Sequence, residues 1–529
     1  MGKKKKNKKN KDTLNLIHKR PKGILRIIFS RFLIIFALFA VQIILFISIF
    51  DLSDTITEWG PFSLFFLLFV VAMFFYLFKS DMDSTAKLTW LLLMFLFPLQ
   101  VAVLLWMTEK HIGHRKIEKR LAFLNEQSRG KLKRDESLMQ DEDIILSGTK
   151  NLCSYLNKSG DYPLYKNTQV TYFPLGEDKF EAMVEELQKA EKFIFMEYFI
   201  IDEGYMWGTI LKILAEKAKQ GVEVRVMYDG MCEMSTLTYD YPKRMAKLGI
   251  KCKSFSKLKP FISTSYNYRD HRKILVIDGK TAFNGGVNLA DEYINLIDRF
   301  GHWKDTALML KGDAVDSFTR MFLQMWNMTE QTETWDEFLN CSEPAETDGY
   351  VIPYADSPLD QYKVGESVYS DILYNAKDYV HIMTPYLILD NELETALKYA
   401  AQRGVDVKLI LPGIPDKKPA YALAKAHYKY LVDAGVKIYE YTPGFVHAKI
   451  FVCDDIKGVA GTINLDYRSL YHHFECATYL YKTSCIYDME DDFQDTLKLC
   501  SEVTPYTIKH EKLSYKIGGG FMRLIAPLL

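Results

Sequence analysis

One short pattern occurs twice in this chain: a histidine, a lysine two positions later, an aspartate five positions after the lysine, and an asparagine ten positions after the aspartate. Its members are His271, Lys273, Asp278 and Asn288 in the first copy and His447, Lys449, Asp454 and Asn464 in the second. Imidazole serves as a nucleophile or as a proton donor near neutral pH, and lysine and amide groups hold phosphoryl oxygens. The paired sets therefore indicate attack on a phosphodiester.

Each copy begins on a predicted buried strand. The segments 274–277 and 450–453 are apolar, which is typical of such strands. Side chains two positions apart point to the same face of a strand, so the histidine and lysine of each copy project together. Downstream, Gly286 and Thr462 stand at small-residue turns where backbone can approach a ligand. We therefore predict substrate contacts from Gly286, Thr462 and the two asparagines, whose amides can donate to phosphate oxygens.

The two copies belong to a longer internal repeat. The segment 190–198 parallels 376–384, and 221–226 parallels 404–409. Each repeat reads as strand, amphipathic helix, strand, helix and motif strand, which predicts an α/β fold with helices packed on a buried sheet. Neither motif alone supplies both an attacking group and a proton donor, so the repeat favours two lobes that share one site.

The N-terminal part differs from the rest in composition. Residues 3–11 are almost all lysine and asparagine, a tail that anionic lipid would attract. Charge-free apolar runs follow at 32–50, 61–78 and 88–106, each about long enough to cross a bilayer as a helix. Basic residues flank this region on both sides and favour the cytoplasm, but three full crossings would place the two basic segments on opposite sides of the membrane. Pro98 predicts a break that turns the third run into a re-entrant hairpin and returns the catalytic part to the cytoplasm.

These patterns divide the 529 residues into five parts. They are a basic cytoplasmic tail at 1–31, a membrane region at 32–107, a charged linker at 108–145, a first lobe at 146–345 and a second lobe at 346–529. We expect transmembrane helices in the membrane region and a multi-pass protein of the cell membrane, with the lobes facing the cytoplasm.

Composition excludes several other classes. The eight cysteines form no C-x-x-C pair, and no cysteine–histidine cluster has metal-ligand spacing, so reduced thiols are expected and neither a metal nor a cofactor is predicted. Basic and acidic residues balance at 67 each, and the catalytic part has no long basic run. A nucleic-acid partner is therefore not expected.

The two motifs resemble the paired HKD motifs of the phospholipase D superfamily, and the whole chain beyond the basic tail resembles the bacterial cardiolipin synthases within it. The supporting stretches are 267–273, 291–293, 301–305, 384–386, 466–469 and 523–529. The resemblance implies two fused lobes that meet at a shared cleft, and a covalent phosphohistidine intermediate formed without a metal.

The resemblance also implies residue roles. His271 would be the nucleophile and His447 the general acid and base, although the residues alone do not order them. The lysines and asparagines would hold the phosphoryl oxygens. Glu475 would orient the histidine of the second motif and Asp305 that of the first. The motif aspartates, Asp278 and Asp454, complete the catalytic set and are expected to brace the turn after each strand.

Two residues depart from the family pattern. Asp270 precedes the first histidine where the family more often has asparagine, and His473 stands where asparagine is usual. Neither residue belongs to the HKD motifs, so we expect these departures to affect substrate preference and not the chemistry. His472 and His473 could both line the cleft of the second motif.

The implied activity is transfer of a phosphatidyl group from one phosphatidylglycerol to another, which gives cardiolipin and glycerol. One alternative within the same chemistry is a phospholipase D or another phosphatidyltransferase that uses water or a different alcohol. Another is a catalytically silent, membrane-bound lipid-binding module, which the two complete motifs disfavour.

Overall fold

The computed structural model describes residues 60–80, 82–109, 115–256 and 268–528. These residues form two compact units, one within 60–109 and the other within 115–528. The predictions for the basic tail at 1–31 and for the apolar run at 32–50 lie outside the described residues. The larger unit holds both motifs.

The smaller unit consists of helices. They are α1 (Gly60–Lys79), α2 (Ser84–Leu96) and α3 (Pro98–Glu109). An apolar cluster that includes Met73, Trp90 and Leu105 packs them together. Many other apolar side chains of α1 are exposed, among them Phe65, Leu68 and Phe75.

The transmembrane helices expected from the sequence are not seen in the described part of this unit. Across the described residues, no helix combines the length and the apolarity that a bilayer crossing requires. The run 88–106 is divided between α2 and α3, because proline at position 98 cannot continue the preceding helix. These two helices hold 13 and 12 residues, or about 20 Å and 18 Å, against a hydrocarbon core of about 30 Å. The predicted break at Pro98 is confirmed.

The larger unit is built from helices and strands that alternate along the chain. Its helices are α4 (Arg115–Ser128), α5 (Glu142–Leu146), α6 (Thr149–Gly160), α7 (Gly176–Lys189), α8 (Tyr205–Lys219), α9 (Cys232–Ser235), α10 (Tyr241–Ala246), α11 (Val315–Trp326), α12 (Val364–Asn375), α13 (Asn391–Gln402), α14 (Lys418–Asp433), α15 (Tyr467–Tyr471), α16 (Cys485–Leu497), α17 (Pro505–Lys509) and α18 (Leu513–Ile525).

The strands of this unit fall into a first and a second half. The first half contains β1 (Thr168–Phe173), β2 (Phe193–Tyr198), β3 (Glu223–Asp229), β4 (Lys251–Phe255), β5 (Arg269–Asp270), β6 (Lys273–Ile277), β7 (Thr281–Gly285), β8 (His302–Lys304) and β9 (Ala307–Gly312). The second half contains β10 (Tyr350–Asp356), β11 (Tyr379–Met383), β12 (Leu387–Ile388), β13 (Asp406–Pro412), β14 (Lys437–Tyr441), β15 (Gly444–Val446), β16 (Ile450–Cys453), β17 (Lys457–Gly461), β18 (Leu465–Asp466), β19 (His473–Tyr481) and β20 (Cys500–Glu502).

The two large sheets have the same internal order. The first sheet runs β1-β9-β7-β6-β2-β3-β4, and the second runs β10-β19-β17-β16-β11-β13-β14-β20. In each, a central strand pairs in parallel with the next strand of its repeat and antiparallel with the motif strand. The predicted α/β fold and its internal duplication are therefore confirmed. The motif strands β6 and β16 are buried along their whole length.

Short strands join the two halves beside each motif. β5, directly before His271, pairs with the start of β19 in the second half. β15, directly before His447, pairs with β8 in the first half. A further bridge joins Tyr165 to Val351. Both motifs are thus held where the halves meet.

From residue 115 onward, the segment predicted to be a linker, 108–145, is part of the larger unit. α4 buries Leu121 and Leu124, and Ile144 of α5 is buried as well. Arg120 donates hydrogen bonds to the carbonyl oxygens of Asn327 and Glu330, at 3.0 Å each. The charged residues on α4 form the outer face of an amphipathic helix, which explains why the segment resembles a solvated linker in sequence.

Candidate active site

His271 lies between β5 and β6, at the boundary of the two halves. Its backbone amide donates to the carbonyl oxygen of Phe474, at 2.9 Å, which fixes the position of the residue against β19. Its Nδ1 lies 2.9 Å from both carboxylate oxygens of Glu475. Thr462 also donates its hydroxyl to Glu475. A carboxylate from the second half therefore orients the imidazole of the first motif.

His447 has the reciprocal arrangement. Its backbone amide donates to the carbonyl oxygen of Lys304, at 2.6 Å, and its Nδ1 lies 2.6 Å from Asp305 Oδ2. The other oxygen of Asp305 accepts from the amide of Thr306, at 2.9 Å. A Cβ at position 286 would overlap this oxygen, so glycine is required there for the carboxylate to approach.

The pairing of carboxylates with histidines differs from the expectation. Sequence reasoning assigned Glu475 to the second motif and Asp305 to the first, and this is wrong: each carboxylate serves the histidine of the opposite half. The cause is the placement of both motifs where the halves meet, which brings each histidine closer to the other half than to the later residues of its own. Gly286 and Thr462, predicted to contact substrate, lie against these two carboxylates.

Burial favours the neutral form of both imidazoles. Burial lowers the pKa of His271 well below its ordinary value, against the opposing effect of Glu475. Burial, together with the charge of Lys449, lowers the pKa of His447 to about 4. Burial tends to raise the pKa of each carboxyl, but the pKa of Glu475 stays below its ordinary value because of His271, and that of Asp305 because of His447. Because Nδ1 faces an ionised carboxylate on each ring, we assign the proton to Nδ1, which leaves the lone pair on Nε2.

The two motif lysines are buried beside the histidines. Lys273 donates to the carbonyl oxygen of His271, at 2.6 Å, and Lys449 Nζ lies 3.0 Å from His447 Nδ1. Burial lowers the pKa of Lys273 to about 8 and that of Lys449 to about 7. The charge of Lys273 also lowers the pKa of both His447 and Lys449. The two motifs therefore lie within one electrostatic environment, as a shared site requires.

The two asparagines are held on equivalent turns. Asn288 accepts from the amide of Ile200, at 3.0 Å, and donates to the Tyr293 hydroxyl, at 2.8 Å. Asn464 donates to the Ser469 hydroxyl, at 3.0 Å, and its buried Oδ1 has no hydrogen-bond partner among the described residues. Each side-chain amide has two N–H groups, so each keeps one for a ligand.

The motif aspartates lie at the far ends of the motif strands and brace them. Asp278 accepts from the amides of three consecutive residues, 191–193, at 2.7–2.8 Å. Asp454 accepts from the equivalent amides of 377–379, at 2.8–2.9 Å. Both aspartates have positive φ values, of 55° and 54°. Both carboxylates are engaged by these backbone amides. The bracing role expected from the sequence therefore accounts for both residues.

Sequence reasoning missed a third buried lysine. Lys179 on α7 donates to the carbonyl oxygen of Val287, at 3.2 Å, and burial lowers its pKa to about 7, with Asp305 opposing the shift. A signal was present, because Lys179 shares a helix face with Met183 and Leu187, both fully buried. A lysine on the apolar face of an amphipathic helix needs a buried partner, and Asp305 is the anion that faces it.

Aromatic rings surround the two dyads. Phe199 lies edge-on to His271, with ring centroids 4.9 Å apart, and His473 lies 5.4 Å from His271 on another side. Tyr293 and Trp303 each lie 5.4 Å from His447. These rings exclude water from most of each imidazole while leaving about 7% of each histidine exposed.

Two groups within the described residues have the ligand spacing of a metal site. They are His271, His473 and Glu475, and Glu366, Asp390 and Glu392. In the first, both oxygens of Glu475 are engaged by His271. In the second, the Tyr471 hydroxyl lies within hydrogen-bond distance of Glu366 and Asp390. Hydrogen bonds thus already engage Glu475 in the first group and Glu366 and Asp390 in the second.

The geometry supports one kind of chemistry. Two neutral imidazoles, each oriented by a carboxylate from the other half, and two lysines that share one electrostatic environment suit a two-step displacement at a phosphodiester. The family model described as "Cardiolipin synthase, PLD-like domain" matches residues 183–326 and 369–497. A cardiolipin synthase of Alkalihalophilus pseudofirmus is 32% identical over 92% of this chain and 98% of its own length.

The chain belongs to the cardiolipin synthase family. This family makes it a phosphatidyltransferase enzyme of the phospholipase D superfamily. A cardiolipin synthase of a Geobacillus species is 33% identical over 88% of this chain and 92% of its own length. An uncharacterized protein of Streptococcus mutans is 58% identical over 86% of this chain and 99% of its own length.

A solved structure shares the fold. The crystal structure of phosphatidylserine synthase from Haemophilus influenzae superposes with a TM-score of 0.53 and 15% identity, over 72% of this chain and 97% of that one. At this identity the likeness concerns the fold alone.

Proposed function

We propose that this chain is a cardiolipin synthase that transfers a phosphatidyl group between two phosphatidylglycerol molecules through a phosphohistidine. The observation that carries the proposal is the reciprocal pairing of His271 with Glu475 and of His447 with Asp305 across the two halves. Family membership supports the substrate class, and the geometry of the two pairs supports the residue roles.

In the first step, Nε2 of neutral His271 attacks the phosphorus of the donor lipid. A P–N bond forms as the P–O bond to the glycerol headgroup breaks. The departing oxygen takes a proton from His447, which must therefore enter this step as the imidazolium. An anionic phosphodiester favours that state, because a nearby negative charge raises the pKa of an imidazole.

In the second step, the acceptor supplies a hydroxyl of its own glycerol headgroup. His447, now neutral, removes the hydroxyl proton, the oxygen forms a bond to phosphorus, and the P–N bond to His271 breaks. Asp305 stabilises each imidazolium that forms on His447. The products are cardiolipin and free glycerol, and His447 regains the proton that it gave in the first step.

Lys273, Lys449, Asn288 and Asn464 are the groups that we assign to the phosphoryl oxygens. Their donors are fixed by the fold before substrate arrives, so little reorganisation is needed when charge develops. Water competes with the acceptor at the phosphohistidine, and the rings around both histidines limit its access.

The protein is proposed to act at the cell membrane, with its apolar N-terminal runs as the anchor. The exposed apolar side chains of α1 support contact with lipid. The lysine-rich residues 3–11 and the basic residues of 110–120 support a cytoplasmic position for the lobes. Modification of cysteines introduced into 3–11 and into an exposed loop of the lobes, in intact cells and in lysed cells, tests this placement. Labelling in intact cells by an impermeant reagent would contradict it.

The deciding experiment for the activity is product analysis. Purified full-length chain is incubated with phosphatidylglycerol vesicles, and the lipids are identified by mass spectrometry. Cardiolipin and equimolar glycerol are expected. Phosphatidic acid as the only product would make the protein a hydrolase, and no product would remove the proposed activity.

A further inference from the structure

The C-terminal helix α18 has an apolar face that the other described residues leave exposed. Leu513, Ile517 and Phe521 follow the spacing of one helix face, and each is more than half exposed. The opposite face of the helix packs on the protein. A Cβ at Gly519 would overlap the carbonyl oxygen of Ala422 on α14, so glycine allows the two helices to approach closely.

Basic residues accompany this face. Lys509, Lys512 and Lys516 are exposed, whereas Glu511, the acidic residue of 505–525, is paired with Lys425 at 2.5 Å. An apolar stripe with lysines beside it is the pattern of helices that lie in the interface of an anionic bilayer. The stripe ends close to the active site, because Ala526 packs against Tyr467 and a backbone group of Pro527 interacts with His472.

From these contacts we infer that α18 docks the catalytic unit onto an anionic lipid surface, with its apolar stripe in the bilayer interface. This inference deepens the proposed function, since the substrate of that function is itself an anionic lipid. Docking here would bring lipid to the side of the site on which His473 lies beside His271.

Amide exchange of the full-length chain in nanodiscs tests the docking directly. Exchange across 513–525 should be slower in phosphatidylglycerol discs than in phosphatidylcholine discs, and Ile517→Asp should abolish the difference. Leu146→Asp, a matched change at another exposed leucine, should leave it intact. Amide exchange that is equal in both lipids would overturn the inference, since α18 would then be covered by its own chain. Amide exchange that depends on protein concentration would also overturn it and would assign the apolar face to contact with a second copy.

Kinetics separates docking from chemistry. Ile517→Asp should lower the transfer rate on phosphatidylglycerol vesicles roughly tenfold and leave the rate on monomeric short-chain phosphatidylglycerol unchanged. Equal losses on both substrates would overturn the docking role. Failure of the wild-type chain on both substrates would remove the proposed function, whereas the exchange experiment would still decide the docking.

A second inference rests on His473. This residue is 9% exposed, and neither ring nitrogen makes a hydrogen bond to any described residue. Its Nδ1 lies 3.5 Å from Glu475 Oε1, and its ring lies 5.4 Å from that of His271. Buried polar atoms are rarely left without a partner, and this one lies beside the atom that would carry the phosphatidyl group.

We propose that His473 binds the non-reacting hydroxyl of the acceptor's glycerol headgroup. That headgroup has two free hydroxyls. One gives its proton to His447 and forms the new bond to phosphorus as the bond to His271 breaks, and the other hydrogen-bonds to the His473 ring. His473 would therefore select a vicinal diol over a simple alcohol, and this selection rests on the proposed phosphatidyl transfer.

Competition between isotopically labelled glycerol and 1-propanol as acceptors tests this role, and the label distinguishes newly formed phosphatidylglycerol from the donor. The wild-type chain should prefer glycerol, and His473→Phe should reduce the preference by about tenfold or more, because a hydrogen bond that aids the preferred substrate is lost. His473→Asn should retain most of it, since an amide can also bind a hydroxyl. An unchanged preference in His473→Phe, or an equal loss of rate with both acceptors, would contradict the assignment. A wild-type chain that transfers to neither acceptor would count against the proposed function itself.

Discussion

Each imidazole of the site depends on a carboxylate that lies far away in the chain. Glu475 comes 204 positions after His271, and Asp305 comes 142 positions before His447. An ionised carboxylate on Nδ1 fixes the tautomer and leaves Nε2 as the reactive atom. The carboxylate that contacts the ring is a glutamate for His271 and an aspartate for His447. This difference suits two different tasks at one phosphorus.

Replacement of either histidine tests the assignment of the two roles. His271→Asn and His447→Asn should each lower the transfer rate by roughly 10⁴-fold or more, with the fold intact by circular dichroism. Acid-quenched wild-type chain should carry labelled phosphatidyl group on His271. Label on His447 would reverse the order of the roles, and substantial activity in either variant would remove that histidine from the mechanism.

The crossed pairing makes a separate prediction. Glu475→Gln should change the nitrogen-15 NMR shifts of His271 and leave those of His447 nearly unchanged, while Asp305→Asn should do the opposite, because each removes the anion at one Nδ1. Each variant should also lose on the order of 10²- to 10⁴-fold in rate. Shifts that follow the same-half pairing would contradict the structure.

The buried lysines give the reaction an alkaline limit. The pKa of Lys449 is lowered to about 7 and that of Lys273 to about 8, so both lose their charge as the pH rises through that range. With less positive charge at the phosphoryl oxygens, kcat/KM should fall above pH 7, and Lys449→Arg should extend the active range upward. A pH–rate profile with no alkaline limit, or one that Lys449→Arg leaves unmoved, would speak against this role.

Spacing in the sequence revealed the histidines, lysines and asparagines because each lies at a fixed offset within a local strand and turn. It could not reveal which carboxylate serves which histidine, because that pairing depends on how the halves pack. His473 shows the same limit, since its contact with His271 joins residues about 200 positions apart in the chain.

At the scale of elements, the turn after each motif strand depends on one aspartate. Asp278 and Asp454 each accept three backbone amides in the same geometry. The repetition of this device in both halves explains why an aspartate at the far end of a strand belongs to a catalytic motif without reaching the substrate.

Asp454→Asn should lower the free energy of unfolding by about 2 kcal/mol, because a charged acceptor of backbone amides becomes a neutral one. Activity per folded molecule should change little. Asp455→Asn is the matched control, since Asp455 is also at positive φ and accepts one hydrogen bond, from the Tyr379 hydroxyl; its effect should be smaller. Full stability with lost activity in Asp454→Asn would assign the residue to the chemistry.

Patterns in the sequence predicted the strands, the helices and the repeat. The chemistry of proline predicted the break at Pro98. The patterns misjudged α4, because charged residues dominate the sequence of 115–128 while only a few side chains of this helix, Leu121, Leu124 and Ser128, are buried. A few buried side chains decide whether a charged helix is a linker or part of a domain, and only the packing shows which.

At the scale of the whole molecule, one chain supplies both histidines and the carboxylate that orients each. A mixture of His271→Asn and His447→Asn chains should therefore remain inactive, since no chain in it holds both imidazoles. Transfer assays on the mixed, reconstituted variants check this. Recovery of about a quarter or more of the wild-type rate would mean that copies exchange halves.

The crossed pairing of carboxylates with histidines has a consequence for how such a chain can evolve. In a pair of identical subunits every inherited substitution arrives twice, once on each side of the substrate. Fusion into one polypeptide removes that symmetry, and here glutamate and threonine stand on one side where aspartate and glycine stand on the other. The lipid that gives and the lipid that receives can then be recognised by surfaces that evolve separately, while neither half can be discarded.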